Sequence, residues 1–504
     1  MTLSMSSASP AVLFTGAVAR AGLLLAAAAA ITLATGNQAI GLAAWVAPIL
    51  LLAYVRRGAR GTALLTGAAA MAAAQMIGWN GVLPFNGGIY YAVTGAAGLV
   101  FFLPYAVDRL ATPLLQRWER LLLFPLCWVV VEHLFIQAGQ GSWGAVAYAH
   151  LDELALLQAA SVAGLSGITF LNGLVASAVV NAWDSNWRKA DLRIVLCTVL
   201  AVALVLVAGS ARLASPPAGA TVRAAGIIVE NMDVFRNSWG PLSYGRPLTA
   251  AAAEKGRPLA RRLQDNLLLA TRREARAGAR LVVWSEANAL VFGGDEASFV
   301  AEGQEVAREE RIYLFMAMAV MTPGERLAEN KLVVIDPAGS VRATYLKSHP
   351  TPGEASVAGD GRVGWIDTPY GRIAWAICYD YDYPALIAQA GRAGADIFIN
   401  PAWDDEGMTP LHARMATVRA IENGAAQLRP TNGGLSLAVD GRGATLSQVA
   451  AQRTHSIVAS LPVSHLPTPY ARIGDWLPAL AIVLLVVLGL RGLLRAAGRR
   501  GPGQ

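Results

Sequence analysis

Long apolar stretches dominate this chain. They lie near residues 13–35, 39–55, 62–79, 90–107, 121–138, 154–182, 192–212 and 475–493. Each approaches the ~20 residues a helix needs to cross a bilayer. With 55% hydrophobic and 15% charged residues, the composition is wrong for a soluble globule. In hydrocarbon the backbone must satisfy its own hydrogen bonds, so each stretch is expected as a helix, about eight spans in all. The run at 21–34 lacks a small-residue cleavage site before a soluble domain and is followed directly by further apolar runs. It therefore reads as a span and not as a signal peptide.

Basic residues set the orientation. Arg56, Arg57 and Arg60 follow the second stretch, and Arg109, Arg117 and Arg120 the fourth. Arg188, Lys189 and Arg193 follow the sixth, and Arg491, Arg495, Arg499 and Arg500 the last. Every second boundary is basic, which places both termini in the cytoplasm and the segment after Ser215 outside it. The formal charge of +7 is largely this signal. The basic residues are scattered through loops and not gathered with aromatics, so no nucleic-acid partner is expected.

After Thr221 the texture changes to short β-rich runs alternating with helical ones, an α/β pattern. Strands are expected over 223–229, 280–284, 312–320, 331–335, 341–346, 373–377, 396–399, 426–430 and 434–439. Helices are expected over 258–278, 297–310, 384–393 and 410–422. Two sheets covered by helices, a four-layer α-β-β-α sandwich, accommodate this count. The expected organisation is a polytopic α-helical membrane domain at 1–217, an extracytoplasmic catalytic domain at 218–472, and a last span with a basic cytoplasmic tail at 473–504. His349, His412, His455 and His465 are too isolated in type and spacing for a zinc site, so neither metal nor cofactor is expected.

The chain has three cysteines. Cys127 and Cys197 lie in predicted spans, where a thiol reads as ordinary packing. Cys378 ends an apolar run in the exported segment with no partner there, which marks a reactive thiol. A thiol attacks only as thiolate and needs a base or a positive charge beside it. Glu286 ends the run Val282-Val-Trp-Ser, where partial burial would suit it to proton transfer. Lys347 follows the strand-like run 341–346, where an ammonium can stabilise an oxyanion.

Glu, then Lys, then Cys, each at a strand end of one α/β domain, resembles the nitrilase (carbon–nitrogen hydrolase) superfamily. Two membrane-edge motifs narrow the resemblance to its apolipoprotein N-acyltransferase members. These are Gly141-Ser-Trp-Gly-Ala-Val-Ala-Tyr-Ala-His, with Leu156-Leu-Gln-Ala-Ala-Ser-Val-Ala-Gly after it, and Thr468-Pro-Tyr-Ala-Arg-Ile-Gly-Asp-Trp476. The resemblance implies a nitrilase-like fold with Cys378 as nucleophile, Glu286 as base and Lys347 as oxyanion stabiliser. It adds Glu354 as a second essential glutamate and Tyr379 beside the nucleophile. Asp380 stands where the family usually has Glu. The implied reaction passes an acyl chain from a phospholipid through a Cys378 thioester to the amino group of a diacylglyceryl-cysteine lipoprotein. The implied setting is a monomer in a bacterial inner membrane with its catalytic domain in the periplasm.

The runner-up is a membrane-tethered amidase or nitrilase acting on a small amide, or an acyltransferase with another amine acceptor. The stretch after Cys378 is closer to soluble nitrilases, and Asp404, Asp405 and Glu406 replace a neutral aromatic stretch of the family. Trp239, Trp365 and Trp403 are candidates for lipid contact at the membrane edge, with Trp403 the most suited to shaping the acceptor side.

Overall fold

A computed structural model of the chain describes residues 16–215, 219–230, 246–450 and 454–498. It divides into two compact units. Among the described residues, one comprises 16–159, 163–210 and 475–498, the other 160–162, 211–215, 219–230, 246–450 and 454–474.

Helices occupy all eight apolar stretches in the first unit's part of the chain. Six are long and apolar enough to cross a membrane: Arg60–Gly78, Gly87–Leu114, Arg117–Gln140, Ala160–Asp184, Lys189–Ala214 and Trp476–Ala497. The other two, Ala17–Leu33 and Gly41–Arg57, have 17 residues each. The chain is a membrane protein. Its helix Lys189–Ala214 exposes Leu196, Val199, Leu200, Leu204 and Val207, an outward apolar face that lipid covers and water would not. Cys127 is buried, whereas Cys197 is exposed on that helix, a correction to its reading as packing.

Several buried ionisable groups among the described residues of the helical unit have ionic or hydrogen-bond partners. Arg56 donates to both oxygens of Asp108 at 2.6 and 2.7 Å and to Asn181 at 2.7 Å, tying three helices together. Glu119 is gripped by Arg495 from the last helix. Buried Glu132 accepts from the Thr169 hydroxyl at 2.5 Å and the Val146 N–H at 3.1 Å.

The second unit holds two sheets, their strands numbered in chain order. The first contains β1 (Thr221–Ile228), β2 (Leu281–Trp284), β3 (Ala289–Phe292), β4 (Tyr313–Met321), β5 (Glu329–Ile335), β6 (Val341–Leu346) and β15 (His455–Pro462), in the order β15-β1-β2-β4-β5-β6 with β3 beside β4. The second contains β7 (Gly364–Thr368), β8 (Gly371–Trp375), β9 (Ile397–Ile399), β11 (Ala426–Arg429), β13 (Ser436–Val439) and β14 (Thr445–Val449), ordered β14-β13-β11-β9-β8-β7. A two-stranded pair joins β10 (Ala402–Trp403) to β12 (Thr431–Asn432).

The sheets pack face to face, with Phe315 of β4 meeting Trp375 of β8 edge-on at 6.0 Å. Both faces of β4 are covered, which is why Tyr-Leu-Phe-Met-Ala-Met-Ala-Val-Met is apolar without alternation and wholly buried. Helix Ala250–Arg276 buries Ala260, Leu263 and Leu267 and turns its arginines outward, where Arg261 pairs with Glu302 and Arg276 with Glu310 of the helix Glu296–Glu310. Helices Pro384–Arg392 and Leu411–Asn423 accompany the second sheet. The result is the expected α-β-β-α sandwich.

The helix expected from 258 begins eight residues earlier. The cap is Thr249, whose hydroxyl accepts from the Ala252 N–H, and Pro258 sits inside the helix. The strands β3, β7, β10, β12, β14 and β15 were not expected. β7 and β14 bury little and carry no dense apolar run. β15 does alternate, burying Ile457, Ala459 and Leu461, but reads weakly between histidine and serines.

Candidate active site

Three sheet connections deliver the predicted residues to one place. β8 leads into Ala376-Ile377-Cys378, and the chain turns sharply into a single helical turn, Cys378–Asp382. Cys378 holds a left-handed φ of +47°, strained for a residue with a Cβ. Its N–H is fixed by the Asn400 Oδ1 at 3.1 Å and the Pro401 carbonyl at 3.0 Å, and its thiol donates to the Trp403 carbonyl at 3.5 Å. Glu286 follows β2 after Ser285, with Ala287 again left-handed at +48°. Lys347 follows β6, its N–H bound to the Asn330 carbonyl at 2.9 Å.

Lys347 is 2% exposed. Its Nζ donates to Glu286 Oε1 and to Glu354 Oε2, both at 2.7 Å. Burial works against the ammonium, but the two carboxylates outweigh it and hold Lys347 charged, well above the ordinary lysine value. Burial also opposes ionisation of Glu354, yet Lys347 and the donors around it pull its carboxyl down to about 2. The Cys378 thiol is pushed well above the usual cysteine range by burial first and by the Glu286 charge next, with Lys347 opposing. Cys378 therefore rests as a neutral thiol, and a thiol attacks only once a base has taken its proton.

Asp380 is a clasp. Fully buried, it accepts from the N–H groups of Ile377 (3.0 Å), Ser348 (3.3 Å) and His349 (2.8 Å) and from the Tyr345 hydroxyl (2.7 Å). It thereby binds the Lys347 loop to the Cys378 loop. Tyr379 packs edge-on against Tyr383, which stacks on His349 at 3.7 Å. Trp403 is half-buried, and its carbonyl meets the thiol. Trp365 is exposed on β7, an edge strand. Trp239 lies outside the described residues.

Four residues here were not singled out from sequence for this site: Asn330, Asn400, His412 and Arg429. Arg429 stood out least, yet a charged residue ending the buried run Ala426-Gln-Leu signals an internal counterion. That partner is Asp404, held bidentately at 2.8 and 2.9 Å. His412 donates from Nδ1 to Asp404 at 2.7 Å and from Nε2 to Asp382 at 3.0 Å. Asp404 is thus no free acid of the cleft but part of a buried, charge-balanced network, while Asp405 and Glu406 are exposed.

The fold also brings ligand atoms of Cys378, Asp404 and His412 within 4.8 Å of one another, a grouping the sequence spacing did not reveal. An imidazolium with both nitrogens donating has no lone pair for a cation, and Arg429 already neutralises Asp404. The grouping fits an ion-pair network and not a metal centre.

Burial alone would discharge His412, but Asp382 and Asp404 raise it to about 9. A raised value means that its stabilising contribution is full below the ordinary 6.5 and is lost as pH rises through about 9. Thermal unfolding should show the catalytic unit losing stability between pH 7 and 10, and His412→Gln should lower the midpoint at pH 7 and flatten that dependence. An unchanged slope in the variant would remove His412 from this role.

A buried thiol shares one α-β-β-α sandwich with a glutamate and a lysine bonded to each other, a set of groups suited to acyl-transfer or amide-cleaving chemistry. Residues 250–466 match the family model for carbon-nitrogen hydrolase. Residues 21–178 match the apolipoprotein N-acyltransferase N-terminal domain. Along most of its length the chain is similar to apolipoprotein N-acyltransferases. It is 28% identical to the apolipoprotein N-acyltransferase of Geobacter metallireducens over 64% of each chain. It is 27% identical to that of Bradyrhizobium diazoefficiens, covering 71% of this chain and 70% of that one. With the Gloeobacter violaceus enzyme of the same name it shares 25% identity over 92% and 94%. Among solved structures it is similar to an amidase from Nesterenkonia sp., with 20% identity and a TM-score of 0.39, covering 49% of this chain and 93% of that one.

Proposed function

We propose that the protein transfers a fatty acyl chain from a membrane phospholipid to the N-terminal amine of a diacylglyceryl-cysteine lipoprotein, with Glu286, Lys347 and Cys378 as its catalytic triad. The observation that carries this reading is the Glu286–Lys347–Glu354 cluster in the same unit as the fixed thiol of Cys378, on a chain whose N-terminal helices match the acyltransferase model. Glu286 takes the thiol proton as Cys378 attacks the ester carbonyl. Lys347 and a backbone N–H of the Cys378 turn stabilise the tetrahedral oxyanion, and a lysophospholipid leaves with the proton. The resulting thioester conserves the acyl group for an amine. The acceptor amine then loses its proton to Glu286 as it displaces the thiolate. In this reading Glu354 keeps Lys347 charged, Asp380 sets the two loops, Tyr379 lines the nucleophile and Trp403 borders the acceptor side.

The basic loops support a monomer in a bacterial inner membrane with both termini cytoplasmic and the catalytic unit periplasmic. One experiment tests acceptor and side together. Intact spheroplasts expressing the chain, given an external diacylated peptide that cannot cross the membrane, should acylate its amine. Modification only after permeabilisation would reverse the orientation. A peptide left free while a short amide is hydrolysed would favour the amidase reading.

A further inference from the structure

Two carboxylates face Lys347, and chemistry at Cys378 needs only one of them as base. What distinguishes them is their hydrogen bonding. Glu354 is saturated: its Oε1 accepts from Asn330 Nδ2 at 2.9 Å and the Ser356 hydroxyl at 2.7 Å. Its Oε2 accepts from Lys347 at 2.7 Å, the Thr351 N–H at 2.9 Å and the Thr351 hydroxyl at 3.1 Å. Glu286 receives both of its bonds on one oxygen, Oε1, from Lys347 at 2.7 Å and from Asn330 Nδ2 at 2.8 Å. Its Oε2 takes part in neither.

One side-chain amide therefore spans the two acids. Asn330 is 2% exposed and gives one N–H to each. The nitrogen must face them, because an amide oxygen there would meet two carboxylates. That orientation leaves its Oδ1 buried without a hydrogen-bond partner among the described residues. A residue serving only to fill the strand would not carry that cost. Its backbone carbonyl also fixes the Lys347 N–H. The neighbouring Lys331 turns elsewhere, to Glu296 and Glu329.

We infer that Asn330 is a positioning residue for the acyl-transfer chemistry: its amide, bridging Glu286 and Glu354, occupies one oxygen of Glu286 so that the other is presented as the base for Cys378. This rests on the triad reading above. In general an amide that donates to a carboxylate favours the ionised acid over the protonated one. The charged groups bearing on the reaction are Lys347 and Glu354 around Glu286, and Asp404 and Arg429 around Cys378, with His412 behind Asp404.

The test uses the full chain in detergent and two readouts across pH: alkylation of Cys378 by iodoacetamide, and thioester formation from phospholipid vesicles. Asn330→Ser keeps a small polar group with one hydrogen for two acids, and Asn330→Leu removes donation while keeping size. Losing a charge-assisted hydrogen bond should move the acid limb of both profiles up by roughly one to two pH units. The Leu variant should be at least tenfold slower on the acid side, should converge on the native rate at high pH, and should shift further than the Ser variant. An equal loss at every pH with the limb unmoved, in whichever variant folds, would overturn the inference and leave Asn330 a packing residue. Glu286→Gln separates this from failure of the triad itself. If the limb persists in Glu286→Gln, Glu286 is not the base. If it disappears there but stays in place in the Asn330 variants, only the inference about Asn330 fails.

Discussion

Replacing Cys378 by alanine is expected to abolish acyl transfer while leaving the protein folded and inserted. The thiol contributes one weak hydrogen bond, to the Trp403 carbonyl, whereas the backbone at this position is held from outside the side chain by Asn400 and Pro401. Alanine tolerates the left-handed backbone no worse than cysteine does, so the loss is chemical. Cys378→Ser should be equally inactive. A serine hydroxyl is far less acidic than a thiol, and a base placed to deprotonate a thiol does not compensate for that difference. Thermal midpoints within a few degrees of native, together with no turnover, are the expected pair of measurements. Turnover by the alanine variant would remove Cys378 from the chemistry.

Lys347→Met is expected to fail in both respects. Lys347 is the ammonium between Glu286 and Glu354, and all three side chains are buried or nearly so. Methionine fills similar volume but leaves two buried carboxylates facing each other without their cation. Removing one partner of a buried ion pair typically costs ~3–5 kcal/mol. Activity should fall by at least the ~10²–10³-fold associated with loss of one oxyanion donor. The defect should also acquire a pH dependence. In the native protein the depressed Glu354 carboxyl, at about 2, contributes stability above its ordinary 4.5 that is lost as pH falls towards 2. Without Lys347 that carboxyl regains a proton at higher pH, so the stability gap between variant and native should narrow on acidification. A variant as stable as native at pH 7 would mean that the cluster does not carry this charge.

The parts of the protein legible in the sequence were those governed by long or simple patterns. Apolar length predicted the eight helices, and the buried runs ending in Glu286 and Cys378 predicted strand ends carrying reactive groups. β4 was recognisable because both its faces are covered. The edge strands β7 and β14 were not, since their residues answer to a neighbouring strand more than to a core. The same limit applied at the site. Glu, Lys and Cys could be proposed from type and order, but Asn330, Asn400, His412 and Arg429 act through partners distant in sequence: Asn330 reaches Glu286 across 44 positions and His412 reaches Asp382 across 30. Asp404 shows the limit of reading type alone, because in sequence it is one of three consecutive acids and in the fold it is an internal counterion.

The central claim is that Cys378 carries the acyl group. Purified protein incubated with a phospholipid of defined acyl chain and no acceptor, then trapped in acid and digested, should yield the Cys378 peptide heavier by that acyl group. The added mass should be removed by hydroxylamine and absent from Cys378→Ala. Adding a diacylated peptide should clear it and place the same chain on the peptide amine. Transfer to the peptide with Cys378 unmodified at every time point, or with the acyl group on another residue, would contradict the account.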